Sequence, residues 1–275
     1  MDVLVLGGTG GLGKLVAVEL RQHGHTARAV GRSAGDLTEP AVVTRLAEGA
    51  EAIVNCAGAS VAMALGKGWR GYRSIDTPIG LAAVAAARQT GARLVYVAVA
   101  HAPALAGCAY IDAHERVARA MTDVDGVIVR PTGFFSAYAS LLPMARRGML
   151  FDIGDGNART NPIDERDLAA IVAESTRGEG AREITCGGPE VLTRREIFEG
   201  VAAASGRRVK VRGVPAWIAA TSGGFVRLVH PRIGQFVQFA VGLAKHDVIA
   251  PALGTRRFAD YLRTTPAAAA AASSS

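Results

Sequence analysis

Three glycines spaced three apart, Gly7, Gly10 and Gly13, lie near the start of this chain. With Gly8, Thr9, Gly11 and Leu12 they form a turn bare enough for a phosphate to approach the backbone. Residues 3–6, before the turn, have the apolar character of a buried strand, and residues 12–23 that of an amphipathic helix after it. The first N–H groups of a helix lack intrahelical partners and sit at the positive end of its dipole. The pattern therefore predicts a pyrophosphate cradle and a dinucleotide site. A plain glycine turn is the alternative.

The rest of the chain alternates strand and helix patterns. Strands are predicted near 2–6, 26–30, 52–56, 93–99, 126–130 and 182–186. Helices are predicted near 11–23, 40–48, 77–90, 112–122, 136–147, 166–176 and 194–205. Such alternation implies an α/β fold, a Rossmann-type doubly wound parallel sheet with helices on both faces. Thr193 and Glu196 form a capping box, Gly206 ends that helix, and Asp164 caps the helix carrying Asp167. Only about twenty residues separate Val30 from Glu51, room for one helix and no additional strand-helix unit. One peripheral strand is therefore predicted to be missing.

The texture changes at Gly187, Gly188 and Pro189. Residues 1–186 are predicted to form the nucleotide-binding core and 187–263 a small C-terminal α+β lobe packed on it. The apolar stretch 214–250 reads as a packed cap or a substrate lid, and 264–275 as a disordered Ala/Ser tail.

With 49% apolar and 20% charged residues, the 275-residue composition is that of a globular protein. No apolar run is long enough for a membrane span. The chain enters an expected strand at its first residues, which predicts no signal peptide. The cysteines Cys56, Cys108 and Cys186 make no CxxC and no zinc pattern, which predicts reduced thiols, a cytoplasmic location and no metal. The net charge of +7 raises the question of nucleic acid. Its one cluster, Arg207, Arg208, Lys210 and Arg212, alternates like a solvated strand edge, and no aromatic residues interleave for base stacking.

The glycine turn resembles the TGxxG loop of the short-chain dehydrogenase/reductase superfamily. Later segments resemble its atypical, NmrA-like and complex-I-subunit-like branch: Arg130 to Phe135 (RPTGFF), Asn161 to Ile163 with Asp167 to Ala169 (NPI…DLA), and Gly187 to Thr193 (GGPEVLT). The resemblance spans about residues 1–263. It implies a Rossmann core that binds NAD(P) and a C-terminal lobe on the substrate side. Where NAD binders usually carry an acid at the end of the second strand, this chain has Arg32 followed by Ser33. A guanidinium suits a 2′-phosphate, which favours NADP; a solvated loop arginine is the alternative. Asp36 and Leu37 resemble the pair beside adenine, although Asp36 could only shape a turn. Cys56, Ala57 and Gly58, after Asn55, resemble the strand end along which the adenosine ribose lies. Pro131, Thr132, Gly133 and Phe134 follow the fifth strand, where the family lines its nicotinamide pocket.

The superfamily's usual Ser and Tyr-xxx-Lys are incomplete here. Tyr110 has the tyrosine's place, His114 replaces the lysine four residues on, and Ala98 replaces the serine. Tyr110 and His114 share a helix face, so His114 could still hydrogen-bond the cofactor ribose. A neutral imidazole would leave the tyrosine without its acidifying cation. His101 could act as an acid or base or be a loop residue. These residues lead to an NADP-dependent oxidoreductase for a small, largely apolar, quinone- or polyketide-like substrate, with Tyr110 and His114 handling protons. The alternative is a non-catalytic NADP-binding sensor, regulator or assembly subunit, with a protein partner. Nucleotide-sugar epimerisation is a weaker third, since it needs the Tyr/Lys pair intact.

Overall fold

The computed structural model describes residues 1–59, 69–178 and 180–264. In chain order its strands are β1 (Asp2–Leu6), β2 (Thr26–Val30), β3 (Ala52–Asn55), β4 (Arg93–Val97), β5 (Gly126–Pro131), β6 (Leu150–Ile153), β7 (Arg159–Thr160), β8 (Glu183–Cys186), β9 (Leu192–Thr193) and β10 (Val211–Val214). The helices are α1 (Gly11–Gln22), α2 (Pro40–Ala47), α3 (Asp76–Thr90), α4 (Ala109–Ala120), α5 (Phe135–Ala139), α6 (Leu142–Arg146), α7 (Glu165–Glu174), α8 (Arg194–Ala204), α9 (Ala216–Val229), α10 (Pro231–Leu243) and α11 (Phe258–Thr264).

The main sheet is six-stranded and parallel, in the order β2-β1-β3-β4-β5-β8. Period-two alternation sends successive strand residues to opposite faces. Leu4, Leu6, Ile53, Leu94 and Tyr96 share one buried cluster with Val43, Ala83 and Val117 of α2, α3 and α4. Val3, Val5, Val54, Val95 and Val129 share another with Val16 and Leu20 of α1 and Leu168 of α7. Burial on both faces explains why these strands are almost uninterrupted runs of apolar residues. Among the described residues β2 is an edge of the sheet, with no further strand beyond it, as the short Val30–Glu51 connection predicts. β1 pairs with β2 on one side and β3 on the other, and this reversal opens a crevice at the strands' carboxyl ends.

A third cluster joins Phe135, Leu142 and Leu150 to Ile197, Phe198, Val201 and Phe258. The helix expected at 136–147 is instead two short pieces, α5 and α6. Pro143 lacks an N–H for an interior helix position and sits in the first turn of α6. Of the basic stretch 207–212 only the end is strand: β10 begins at Val211 and pairs in parallel with β6. The capping box at Thr193 and the Asp164 cap are both formed. Two side chains tie the C-terminal segment down. Asn161 bonds Gly188 O and both the N–H and C=O of Ala250, at 2.8–3.0 Å. Asp167 accepts the N–H groups of Thr255 and Arg256 at 2.8 and 2.9 Å and pairs with the Arg256 guanidinium. The tail 265–275 lies outside the described residues.

Candidate functional site: a phosphate loop beside an apolar cavity

The glycine turn joins β1 to α1. Gly7 has φ +74°, a conformation few side chains tolerate. Gly8 N donates to Val30 O at 2.8 Å and Gly10 N to Gly7 O at 2.9 Å, which folds the loop tightly against β2. α1 is capped by Gly10 with no side-chain hydrogen bond and has no acid in its first turn. Its leading N–H groups are therefore free of any side-chain cap, and the local charge favours an anion. A Cβ at Gly11 would meet nothing within 4 Å, so the approach to those amides is open. Thr9 packs its side chain against Gly31, which sets the next residue, Arg32, beside the loop. Arg32 and Ser33 are exposed on a short turn after β2.

Asp36 accepts Thr38 N at 2.9 Å and Thr38 Oγ1 at 2.8 Å, bonds that shape the turn and hold its carboxyl below the ordinary range. Leu37 is buried in the core under α2 and α3. Cys56 and Ala57 are half-buried at the end of β3, and a Cβ at Gly7 would come within 2.8 Å of their backbone. Burial pushes the Cys56 thiol up to about 12, so it stays neutral.

Beneath Gly58 lies a group the sequence did not reveal. Asp76, the first residue of α3, is buried, and a Cβ on Gly58 would fall 2.5 Å from its Oδ1. Its Oδ1 accepts Ala59 N at 3.1 Å. Desolvation pushes this carboxyl up to about 7. Asp76 Oδ2, Asn55 Nδ2 and His114 Nε2 are buried polar atoms without partners among the described residues. Such orphans are costly unless something completes them. With the bare loop, the uncapped helix start and the small strand end, they fit an NAD(P) molecule along the carboxyl edge of the sheet.

The proton-handling candidates lie on α4. His114 is buried with Nδ1 2.7 Å from the Tyr96 hydroxyl on β4. Burial and the Arg130 charge hold its pKa down, to about 4, so the imidazole is neutral at pH 7. Tyr110 packs edge-on against His114, Tyr72 and Phe239, ring centroids 4.9 Å apart in each case. Burial and the Asp76 charge raise its phenol well above the ordinary value. His101 is held by Ala102 O at 3.0 Å and Glu115 at 3.3 Å, in a network with Arg130 and Glu183.

A cavity of about 470 Å³ opens between Ala98, Tyr110, Phe134, Tyr138 and the α10 residues Phe239 and Leu243. Pro131, Thr132 and Gly133 form its β5 end, and Tyr138 Oη lies over Gly133. Arg194 closes part of its wall, neutralised by Asp152 at 2.6 Å. The cavity thus brings Ala98, Tyr110 and Pro131 to Phe134 together. Arg32 to Leu37 belong to the other end of the crevice, beyond β1. Tyr72, Tyr96 and Asp76 carried no motif; an acid at the head of an apolar helix was the only available signal for Asp76.

This arrangement is a Rossmann-type α/β fold, a six-stranded parallel sheet with its crevice at the strands' carboxyl ends. Residues 3–106 match the NAD dependent epimerase/dehydratase family, a match that ends before Tyr110. The ceramide reductase of Caulobacter vibrioides is 27% identical over 247 residues, covering 82% of this chain and 77% of that protein. The NADPH complex of an Escherichia coli NADPH-dependent quinone oxidoreductase superposes with a TM-score of 0.69 at 17% identity, covering 94% of this chain and 98% of that one. A dTDP-4-dehydrorhamnose reductase from Clostridium acetobutylicum gives 0.65 at 16% identity, covering 78% and 84%. No helix among the described residues is long and apolar enough to cross a membrane.

Proposed function

We propose that this protein is an NADPH-dependent reductase of a small, largely apolar carbonyl or quinone compound. The observation that carries the reading is the apolar cavity, which opens at the carboxyl ends of β4 and β5 with Tyr110 in its wall. NADPH, when bound along the crevice, supplies the hydride. Gly7, Thr9, Gly10, Gly11, Leu12 and Gly13 would hold the pyrophosphate, and Arg32 with Ser33 the 2′-phosphate. Cys56, Ala57 and Gly58 would carry the adenosine ribose, with Asp36 and Leu37 towards adenine. Ala98, His114, Pro131, Thr132, Gly133 and Phe134 would border the nicotinamide end. The apolar wall excludes water from the acceptor.

Tyr110 donates a proton to the acceptor oxygen as that oxygen gains charge. A phenol kept neutral by burial is a donor and a poor base, which favours reduction over alcohol oxidation. For a ketone or aldehyde acceptor the alkoxide oxygen that forms is more basic than a phenolate, so the transfer still runs downhill; a hydroquinone oxygen is no more basic than an ordinary phenolate and can take its proton from water. His114, neutral and bonded to Tyr96, fixes the neighbouring ring rather than supplying the charge a lysine would bring. Replacing Tyr110 by phenylalanine is expected to lower NADPH oxidation with a responsive quinone or ketone roughly 100-fold, with NADPH affinity changed less than about twofold. Unchanged turnover would remove Tyr110 from the mechanism. Tight NADPH binding with no turnover across a quinone and carbonyl panel would instead favour a non-catalytic sensor, the reading that the absent serine and lysine support.

Cofactor choice has its own test. The exposed guanidinium of Arg32 should make NADPH bind about tenfold more tightly than NADH, and Arg32→Ala should erase the difference. Calorimetric titration with both dinucleotides measures it, and equal affinities in the unaltered chain would refute the NADP assignment.

A further inference from the structure

α9 presents an apolar face that nothing else in the described chain covers. Trp217, Phe225, Leu228 and Val229 are 71%, 69%, 79% and 71% exposed, and Ile218 is 41% exposed. At 100° per residue these positions fall within one third of the helix circumference. The opposite side is the packed one. Ala219 and Gly223 are buried, and a Cβ on Gly223 would lie 2.7 Å from Val237 of α10. The exposed side chains are therefore surplus to the hairpin's own packing, and a patch of this kind marks an interaction surface.

The sequence flanking it carries charge of one sign. Residues 200–246 contain seven lysines and arginines and no aspartate or glutamate, which equals the +7 net charge of the entire chain. Arg207, Arg208, Lys210 and Arg212 lead into α9, Arg227 lies in its last turn, and Lys245 follows α10; all six are exposed. Arg232 is turned back onto Arg70 O at 2.9 Å.

We propose that the α9 face docks this protein on an anionic lipid bilayer, its apolar side chains entering the headgroup–acyl boundary and the flanking arginines and lysines meeting lipid phosphates. A helix of 14 residues is too short to cross the hydrocarbon and suits a position in the interface plane. A second copy is a poorer occupant, because two such faces would bring like charges together. An anionic lipid surface offers the opposite sign and an apolar layer at once. α10, which packs behind α9, lines the apolar cavity through Phe236, Phe239 and Leu243. Docking would therefore place that cavity one helix from the lipid.

Flotation of the full chain with phosphatidylcholine vesicles, with and without phosphatidylglycerol, tests the proposal. The expected result is binding to the anionic vesicles at least tenfold stronger than to the neutral ones, weakened by salt, with a blue shift of tryptophan emission. Trp217→Ser/Phe225→Ser/Leu228→Ser should reduce binding at least tenfold. Its melting temperature should stay unchanged, because these side chains are already exposed. Absence of vesicle binding overturns the proposal. So does binding that the triple variant retains, or a concentration-dependent dimer in light scattering that the variant dissolves. The measurement uses no dinucleotide and no turnover, so its failure leaves the reductase reading standing and the reverse also holds.

Discussion

Gly13→Ala is expected to reduce dinucleotide affinity at least 100-fold and to destabilise the fold by about 1–3 kcal/mol. Gly13 is the third residue of α1, and a methyl there would sit inside van der Waals contact of Gly7 O. The same methyl would lie 2.8 Å from the Gly7 carbonyl carbon and from Gly8 Cα. All three neighbours are backbone, so no side-chain rotation relieves the overlap. The loop must move away from the helix, and the amides proposed to meet the pyrophosphate move with it. Gly11→Ala separates the two effects. Its methyl meets nothing in the protein, so the melting temperature should hold or rise slightly through better helix propensity. It occupies the open approach to the helix start, so NADPH affinity should still fall. Calorimetry with thermal melts of both variants checks this. Equal, undiminished affinity in both would place the dinucleotide elsewhere.

Asp76→Asn is expected to stabilise the protein at pH 8 and to leave it nearly unchanged near pH 4. Burial raises the folded carboxyl from 3.8 to about 7. Between these values the unfolded chain has lost its proton and the folded chain keeps it. The stability contributed by the protonated form is therefore complete below about pH 4 and is lost as pH rises through 7. Three pKa units correspond to at most about 4 kcal/mol. Asparagine mimics the protonated acid, keeps an acceptor for Ala59 N and never ionises. His114 shifts the other way: its contribution is present above pH 6.5 and lost as pH falls through about 4. Both chains contain it, so it cancels in the difference. Urea denaturation at the two pH values measures that difference. A variant less stable than the parent at pH 8 would mean that Asp76 is ionised and needed as a charge.

The core of the fold was legible because its signals are local. The six sheet strands fall within two residues of their expected positions, since each is a short apolar run closed by a turn. The missing edge strand could be inferred from chain length alone, as the 20-residue gap after Val30 leaves no space for it. The helices α9 and α10 were not separated within the stretch 214–250. Their polar faces are weak, and an exposed apolar stripe erases the 3.6-residue alternation that marks a helix. The break between α5 and α6 turns on one proline within an otherwise helical pattern.

Legibility of the site follows the same division. The glycine turn between β1 and α1 is contiguous, so glycine spacing marks it as a candidate phosphate loop. Tyr110 and His114 came from a four-residue spacing, but the Tyr96 partner of His114 is on another element, 18 positions back. Asp76 matters through burial under Gly58, and burial of a single polar side chain depends on packing that no short pattern encodes.

Asn161 and Asp167, which entered as words of a family signature, act as clasps. Each reaches about ninety positions along the chain to grip the returning strap at 250–256. Val248, just upstream of that strap, forms part of the cavity wall. A change at either clasp would therefore let the wall drift while every group near the acceptor stayed intact. Lost turnover in such a variant would imitate a chemical defect, and only a structural readout of the strap would expose it as mechanical.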